Sequence, residues 1–557
     1  MDAQPHLQDP LIQRLSLPPA AVSELSFCAT SLAGVAVFLD ELPRTNVAEV
    51  LNRLYRAMPE IAALDCEPRV KIDMLNLLRP VILQYTDHLT ARIAISEKTT
   101  KQVSLALALL RNLARGYKTI IVGLQPAGAD YRLLLADAIE DAISVLAKML
   151  VTCWQCFLAP PANLWREIHA LYLLARSRDC AAPIPLSNQA LGPRAAYLRI
   201  LLMAAAEPAR FTAADLKRLQ AFLETHAHFA TLEEPADNAL FVIDTDSDQG
   251  PLLNAKRPAS GRPAEGLLGL RSGDLVTYID RHAHTADLPL PRRLIPQLRR
   301  YWSSEIMREE DHVDDHGKVA VVFGLTRLHR LLTASRNIGE YAARCQVLQA
   351  SAAAGQPGSM PALNPLEIPT RIWHDAPDND APPSATWLQP SRANPDDPIQ
   401  YTPLVATLGE DLIQPTAATR INTSEKGACL ELAAPPDHLA PGELVGINTA
   451  EDQQWRVGLV RWTRTTASLT RLLGIQFLSI DITPCAVAMV RGNTPQATYF
   501  PGLILDQSGD AADLLVPSMP FTDHCQIDII TSQWRKTATL PPAQETTFHL
   551  SLFRLDP

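Results

Sequence analysis

The chain predicts a multidomain α+β protein, with an all-α bundle or irregular helical solenoid first, a mixed middle region and a β-rich end. Three observations predict it. Apolar residues between about Thr45 and Ala230 recur at helical spacing. After Ala428 they fall into short runs bounded by turn residues. At 557 residues the chain also exceeds what one hydrophobic core organises. The divisions that follow are a helical domain at 1–225, a mixed α/β region at 226–345, a Pro-rich linker or insertion at 346–402, a β domain at 403–490 and a small β-unit at 491–557.

Composition narrows the function. A hydrophobic content of 47% with 20% charged residues is that of a globular protein. A net charge of -10 argues against a general nucleic-acid binder, so an anionic ligand has to be met by a local basic site. The apolar stretches Ser26 to Leu39 and Ala142 to Leu158 are too short or too interrupted to span a bilayer, and Met1 to Pro10 does not read as a secretory signal. Nine cysteines without framework spacing suit a reducing cytosol, and a cytoplasmic location is expected. Cys153 and Cys156 make a Cys-x-x-Cys inside an apolar helical run, which reads as core rather than a metal or redox site.

In the helical part, Asn46 with Glu49 three residues on reads as a capping pair. It opens a stripe of Val47, Val50, Leu51, Leu54, Tyr55 and Met58. Further helices are expected at about Val70 to Ala94 with a break or kink at Pro80, then at Lys101 to Tyr117, Tyr131 to Cys156, Leu164 to Arg176 and Pro193 to Ala206. The last, Thr212 to Thr225, has Thr212 and Asp215 as its cap. Stacked amphipathic helices suit protein binding, so an unidentified protein partner is expected there.

The mixed region offers two metal candidates, and both read better as polar loops. Asp244-Thr-Asp-Ser-Asp-Gln-Gly250 alternates carboxylates like a calcium loop, but its Gly comes one place late and Ala255 stands where the bidentate Glu belongs. Asp315 with His312 and His316 would share a helical face, yet only Val313 is apolar between Arg308 and His316. No metal site is expected. Lys318 to Gly324 reads as a strand entering a helix around Leu328.

The most informative stretch is Arg420-Ile-Asn-Thr-Ser-Glu-Lys-Gly-Ala-Cys-Leu430, in which Asn422, Ser424 and Gly427 make an Asn-x-Ser-x-x-Gly pattern. Taken alone, the pattern suits equally a turn that leads into a strand, with Gly427 at positive φ. Strands follow at Ala428 to Leu432, Glu443 to Asn448, Trp455 to Thr463 and Thr470 to Leu478. Within these, Gly-Glu-Leu-Val-Gly, Gly-Leu-Val-Arg-Trp and Leu-Gly-Ile-Gln-Phe-Leu recur at the right distances. This combination resembles the PilZ domain.

The resemblance implies a small β-barrel at 403–490 and cyclic di-GMP as ligand. It implies that Asn422, Ser424 and Gly427 meet a guanine: a short amide and a hydroxyl bond a base edge, and Gly lets the backbone approach. The family's Arg-x-x-x-Arg segment, which grips guanines and phosphates, has no counterpart between Arg262 and Arg420; the pattern occurs at Arg111 and Arg115, in the helical part. Many PilZ domains open with a basic segment running into a strand, so Arg308 to Leu331 is expected to be a displaced first portion of the barrel, with Ala352 to Thr402 inserted after it. The ligand-binding set is then Arg308, Arg420, Asn422, Ser424, Gly427 and Arg461, with Arg461 and Trp462 on opposite sides of their strand.

Strands are also expected at Tyr499 to Leu505, Asp513 to Pro517, Cys525 to Ile530, Ala538 to Leu540 and Thr546 to Phe553. Nucleophile elbows, phosphate loops, Rossmann glycines and His-Glu-x-x-His are absent from the sequence, so a non-enzyme is expected. The leading expectation is a cytosolic bacterial regulator that senses cyclic di-GMP through the barrel and signals to a protein partner. The alternative is a PilZ-like adaptor that has lost the ligand and serves as a protein scaffold.

Overall fold

The computed structural model describes residues 9–90, 97–124, 131–182, 192–234, 236, 239–257, 267–285, 288–303, 313–353, 413–436, 439–449, 454–466, 468–491, 494–506 and 512–555. They form two compact units: Met1–Glu309 with Arg464–Leu469, and Glu310–Thr463 with Thr470–Pro557. The expected insertion therefore lies almost wholly outside the described residues, as do Arg308 and His312.

The first unit begins with helices α1 (Pro10–Gln13), α2 (Leu32–Asp40), α3 (Val47–Ala63), α4 (Pro68–Thr90) and α5 (Glu97–Gly123). It continues with α6 (Arg132–Gln155), α7 (Leu164–Ser177), α8 (Gly192–Ala205) and α9 (Ala213–His226). Both expected caps form: the Glu49 amide donates to Asn46 Oδ1 at 3.2 Å, and the Asp215 amide to Thr212 Oγ1 at 3.1 Å. The stripe on α3 buries Val50, Leu51, Leu54 and Met58, while Tyr55 is exposed. α4 runs through Pro80 as one continuous helix. Cys153 is fully buried in α6, and burial pushes its thiol up to about 12.

Strands β1 (Thr231–Glu233), β2 (Phe241–Ile243), β3 (Leu252–Leu253) and β4 (Leu268–Arg271) form a sheet in the order β1-β4-β2-β3, followed by α10 (Gly273–His282) and α11 (Ile295–Trp302). Phe241, Leu268 and Trp302 share the core of the helices. The Trp302 indole donates to the Leu202 carbonyl at 3.2 Å. The aspartate loop is a polar turn whose carboxylates serve the chain itself. Asp248 caps α7 by accepting from the amides of Asn163, Trp165 and Arg166, and Asp246 pairs with Arg14 at 2.6 Å.

The second unit opens with β5 (Val313–Phe323), α12 (Leu325–Thr333) and α13 (Ile338–Ala353). Strands β6 (Thr416–Ser424), β7 (Gly427–Leu432), β8 (Leu444–Thr449), β9 (Arg456–Thr465) and β10 (Arg471–Ser479) follow. With β5 they close a barrel in the order β10-β7-β6-β5-β8-β9. The displaced strand expected within Arg308 to Leu331 thus takes its place between β6 and β8. It starts earlier than expected: Val313 and Asp314, in the stretch read as loop, already pair along β6, and Asp315 and His316 fall in the bulge that follows. Val319, Val321, Leu430, Val445, Val460 and Leu473 fill the interior.

A second sheet holds β11 (Ile482–Arg491), β12 (Thr494–Asp506), β13 (Ala512–Pro517), β14 (Gln526–Ile530), β15 (Arg535–Thr539), β16 (Glu545–Thr546) and β17 (Leu550–Leu555), in the order β15-β14-β11-β12-β13-β17-β16. Its Leu503, Leu505, Leu515, Leu550 and Leu552 form one cluster with Leu444, Val457 and Leu459 of the barrel. Each such leucine contributes about 1.5–3 kcal/mol on leaving water.

Candidate ligand site on the barrel

The Asn-x-Ser-x-x-Gly segment is not a loop before a strand. Arg420, Asn422 and Ser424 all lie on β6, which turns over Glu425-Lys426 into β7 at Gly427, with Ser424 opposite Gly427 in register. The register slips beside Ile421 on both flanks: between Arg420 and Asn422 against β7, and between Asp314 and Gly317 against β5. Paired bulges of this kind break the alternation of a strand and re-aim its side chains at a barrel end.

Arg420 crosses to β5, where its Nη2 meets Asp315 Oδ2 at 2.6 Å. Gly317 makes room: a Cβ there would stand 3.1 Å from Arg420 Nη2. Arg420 Nε is buried without a hydrogen-bond partner among the described residues. The Asn422 amide makes no hydrogen bond among the described residues. Ser424, half-buried, donates only a long contact of 3.4 Å to the Gly427 carbonyl. Donor capacity is thus left over along this strand.

Gly427 is glycine for a different reason from the one its spacing suggests. Its φ is not positive. A Cβ there would lie 2.4 Å from the carbonyl oxygen of Ile475, because β10 passes directly over it. The Phe477 amide then donates to the Lys426 carbonyl at 2.9 Å and fastens the hairpin tip.

Arg461 is held elsewhere. Both of its terminal nitrogens donate to the Glu545 carboxylate, one at 2.8 Å, and its Nε donates to Gln476 Oε1 at 2.8 Å. Gln476 is the register partner of Gly427, so Arg461 stands one strand away from the hairpin with its charge matched. Arg461 and Trp462 are both half-buried. Glu545 covers the arginine, and the indole fills the space left by Gly474, where a Cβ would lie 1.9 Å from Trp462 Nε1.

One cation escaped the sequence reading. The Arg456 guanidinium stacks over the Phe477 ring, 4.5 Å from its centroid, and makes no ion pair among the described residues. Through Phe477 it neighbours the hairpin tip. Its only sequence signal was its place at the entry of an already recognised strand, beside Trp455. Among the described residues, no group of three or more His, Cys, Asp or Glu could hold a metal ion. No helix among them is long and apolar enough to cross a membrane.

Two family models match the chain. Residues 33–237 match "Cyclic-di-GMP receptor FimW, N-terminal domain", and residues 240–484 match "Cyclic-di-GMP receptor FimW, middle PilZ domain". The chain is 25% identical to the cyclic-di-GMP receptor FimW of Pseudomonas aeruginosa, across 99% of this chain and 93% of that protein. No solved structure matches.

Proposed function

The chain carries a PilZ domain, and on that premise we propose that it is a regulator sensing cyclic di-GMP at the β6–β7 hairpin. The observation that carries this reading is the unsatisfied polarity gathered there: the free Asn422 amide, the weakly bonded Ser424 hydroxyl, the orphan Arg420 Nε and the stacked Arg456. A guanine edge is met by Asn422 and Ser424, with Gly427 and Ile475 packed tightly beneath them. The phosphates are met by Arg420 and Arg456, since a dianion in an acidic protein needs charge-assisted donors. Arg308 precedes Val313 by five residues, and Val313 pairs with Thr423, so Arg308 is proposed as a third cation. Arg461, matched by Glu545, supports the hairpin through Gln476 rather than contacting the ligand. The output is proposed to pass from the helical unit to a protein partner in the cytoplasm, with no catalytic step.

A second reading rests on Asp315. Because it already pairs with Arg420, one cation of the site is matched within the protein, which suits an adaptor that binds partners without the dinucleotide. Calorimetric titration of the full chain with cyclic di-GMP, beside Arg420→Ala, separates the two. Binding that Arg420→Ala weakens supports the receptor; absence of binding at high ligand concentration supports the adaptor.

A further inference from the structure

The helical unit holds a cavity of about 470 Å³, of the size that takes a small organic ligand. Its charge is unusual for a chain of net charge -10. Arg14, Arg111, Arg115, Lys118 and Arg166 line it, against the single carboxylate of Glu167. Glu167 is bonded to Lys118, and Arg14 to Asp246. The remaining three guanidiniums have no carboxylate partner among the described residues. Arg115 has only neutral contacts, to Ser16 Oγ at 3.2 Å and Asn112 Oδ1 at 3.4 Å, and Arg166 reaches only Asn163 Oδ1 at 3.4 Å.

The arrangement is built rather than incidental. Arg111 and Arg115 are one turn apart on α5 and so share a face, while Arg166 projects from the first turn of α7. Lys118, one more turn along the Arg115 side of α5, is 1% exposed. Burial lowers its pKa; Glu167 counters this, and the charges of Arg115 and Arg111 lower it further. Leu146 and Met149 add apolar wall, suited to the organic part of a ligand rather than to a bare ion.

We propose that this cavity is an anion site for a small phosphate-bearing molecule, held by Arg111, Arg115 and Arg166. Three uncompensated guanidiniums suit a polyphosphate or phosphate ester, because each planar fork pairs with two phosphate oxygens. The site is separate from the barrel hairpin and does not depend on what binds there.

Isothermal titration of the full chain with inorganic pyrophosphate at low salt tests the proposal. Saturable binding is expected, weakened about tenfold or more by Arg111→Gln and by Arg166→Gln, since each removes a charged hydrogen-bond donor. Both side chains are exposed, so neither change is expected to disturb folding, and matched circular dichroism spectra check this. Lys217→Gln, at an exposed cation of α9 outside the cavity, leaves the affinity unchanged. The proposal is overturned if pyrophosphate does not bind, if the arginine variants bind as wild type, if Lys217→Gln weakens binding as much as they do, or if citrate binds equally well.

Discussion

Arg420 on β6 and Asp315 on β5 form an ion pair of 2.6 Å across the bulged part of the barrel, and this pair engages the cation proposed to meet a dinucleotide phosphate. Asp315 is 37% exposed, so the pair is screened and worth about 1 kcal/mol or less. On the proposed site, a carboxylate in that position competes with the ligand for Arg420. Asp315→Asn is therefore expected to raise the affinity for cyclic di-GMP several-fold in calorimetric titration, whereas unchanged or weaker binding would show that Asp315 instead orients Arg420.

Ser424→Ala is expected to weaken ligand binding by about 1 kcal/mol, the net worth of one neutral hydrogen bond. The same change should leave the urea midpoint nearly unmoved, because the hydroxyl makes only a 3.4 Å contact in the free protein. A large loss of stability would mark Ser424 as structural.

Gly427→Ala acts the other way round, on stability first. Its Cβ would meet the Ile475 oxygen at 2.4 Å, and backbone on both sides must shift. A loss of about 1–3 kcal/mol is expected from chemical denaturation, as for overpacking elsewhere. Wild-type stability in this variant would show that β10 gives way cheaply.

His329 supplies a pH dependence. Its ring is 1% exposed, its Nε2 lies 3.0 Å from the Cys485 carbonyl oxygen, and burial lowers its pKa from 6.5 to about 4. Between those values the unfolded chain binds a proton that the folded chain refuses, so this contribution is present above about 6.5 and lost as the pH falls towards 4. The stability advantage of wild type over His329→Gln should shrink across that interval in denaturation at stepped pH. An advantage independent of pH would contradict the buried neutral imidazole.

Local signals made much of the fold readable. Asn46 with Glu49 and Thr212 with Asp215 announced α3 and α9, and β7 to β10 followed from short apolar runs bounded by turns. β6 did not, because Thr416 to Ser424 is largely polar and is stabilised by pairing with β5, which precedes it by a long stretch of chain. The same non-locality hid the partners that decide the site. Asp315 meets Arg420 and Glu545 meets Arg461 only once the barrel closes, and the reason for Gly427 lies in the carbonyl of Ile475. Arg456 needed the ring of Phe477 beneath it to stand out as a cation near the hairpin.

The most direct measurement is the calorimetric titration of the full chain with cyclic di-GMP, repeated with Arg420→Ala and with Asn422→Ala. Saturable binding in wild type, weakened in both variants while their circular dichroism spectra stay native, is the predicted result. A folded wild-type chain that takes up no ligand at high concentration, or one whose affinity neither substitution alters, would contradict recognition at the β6–β7 hairpin.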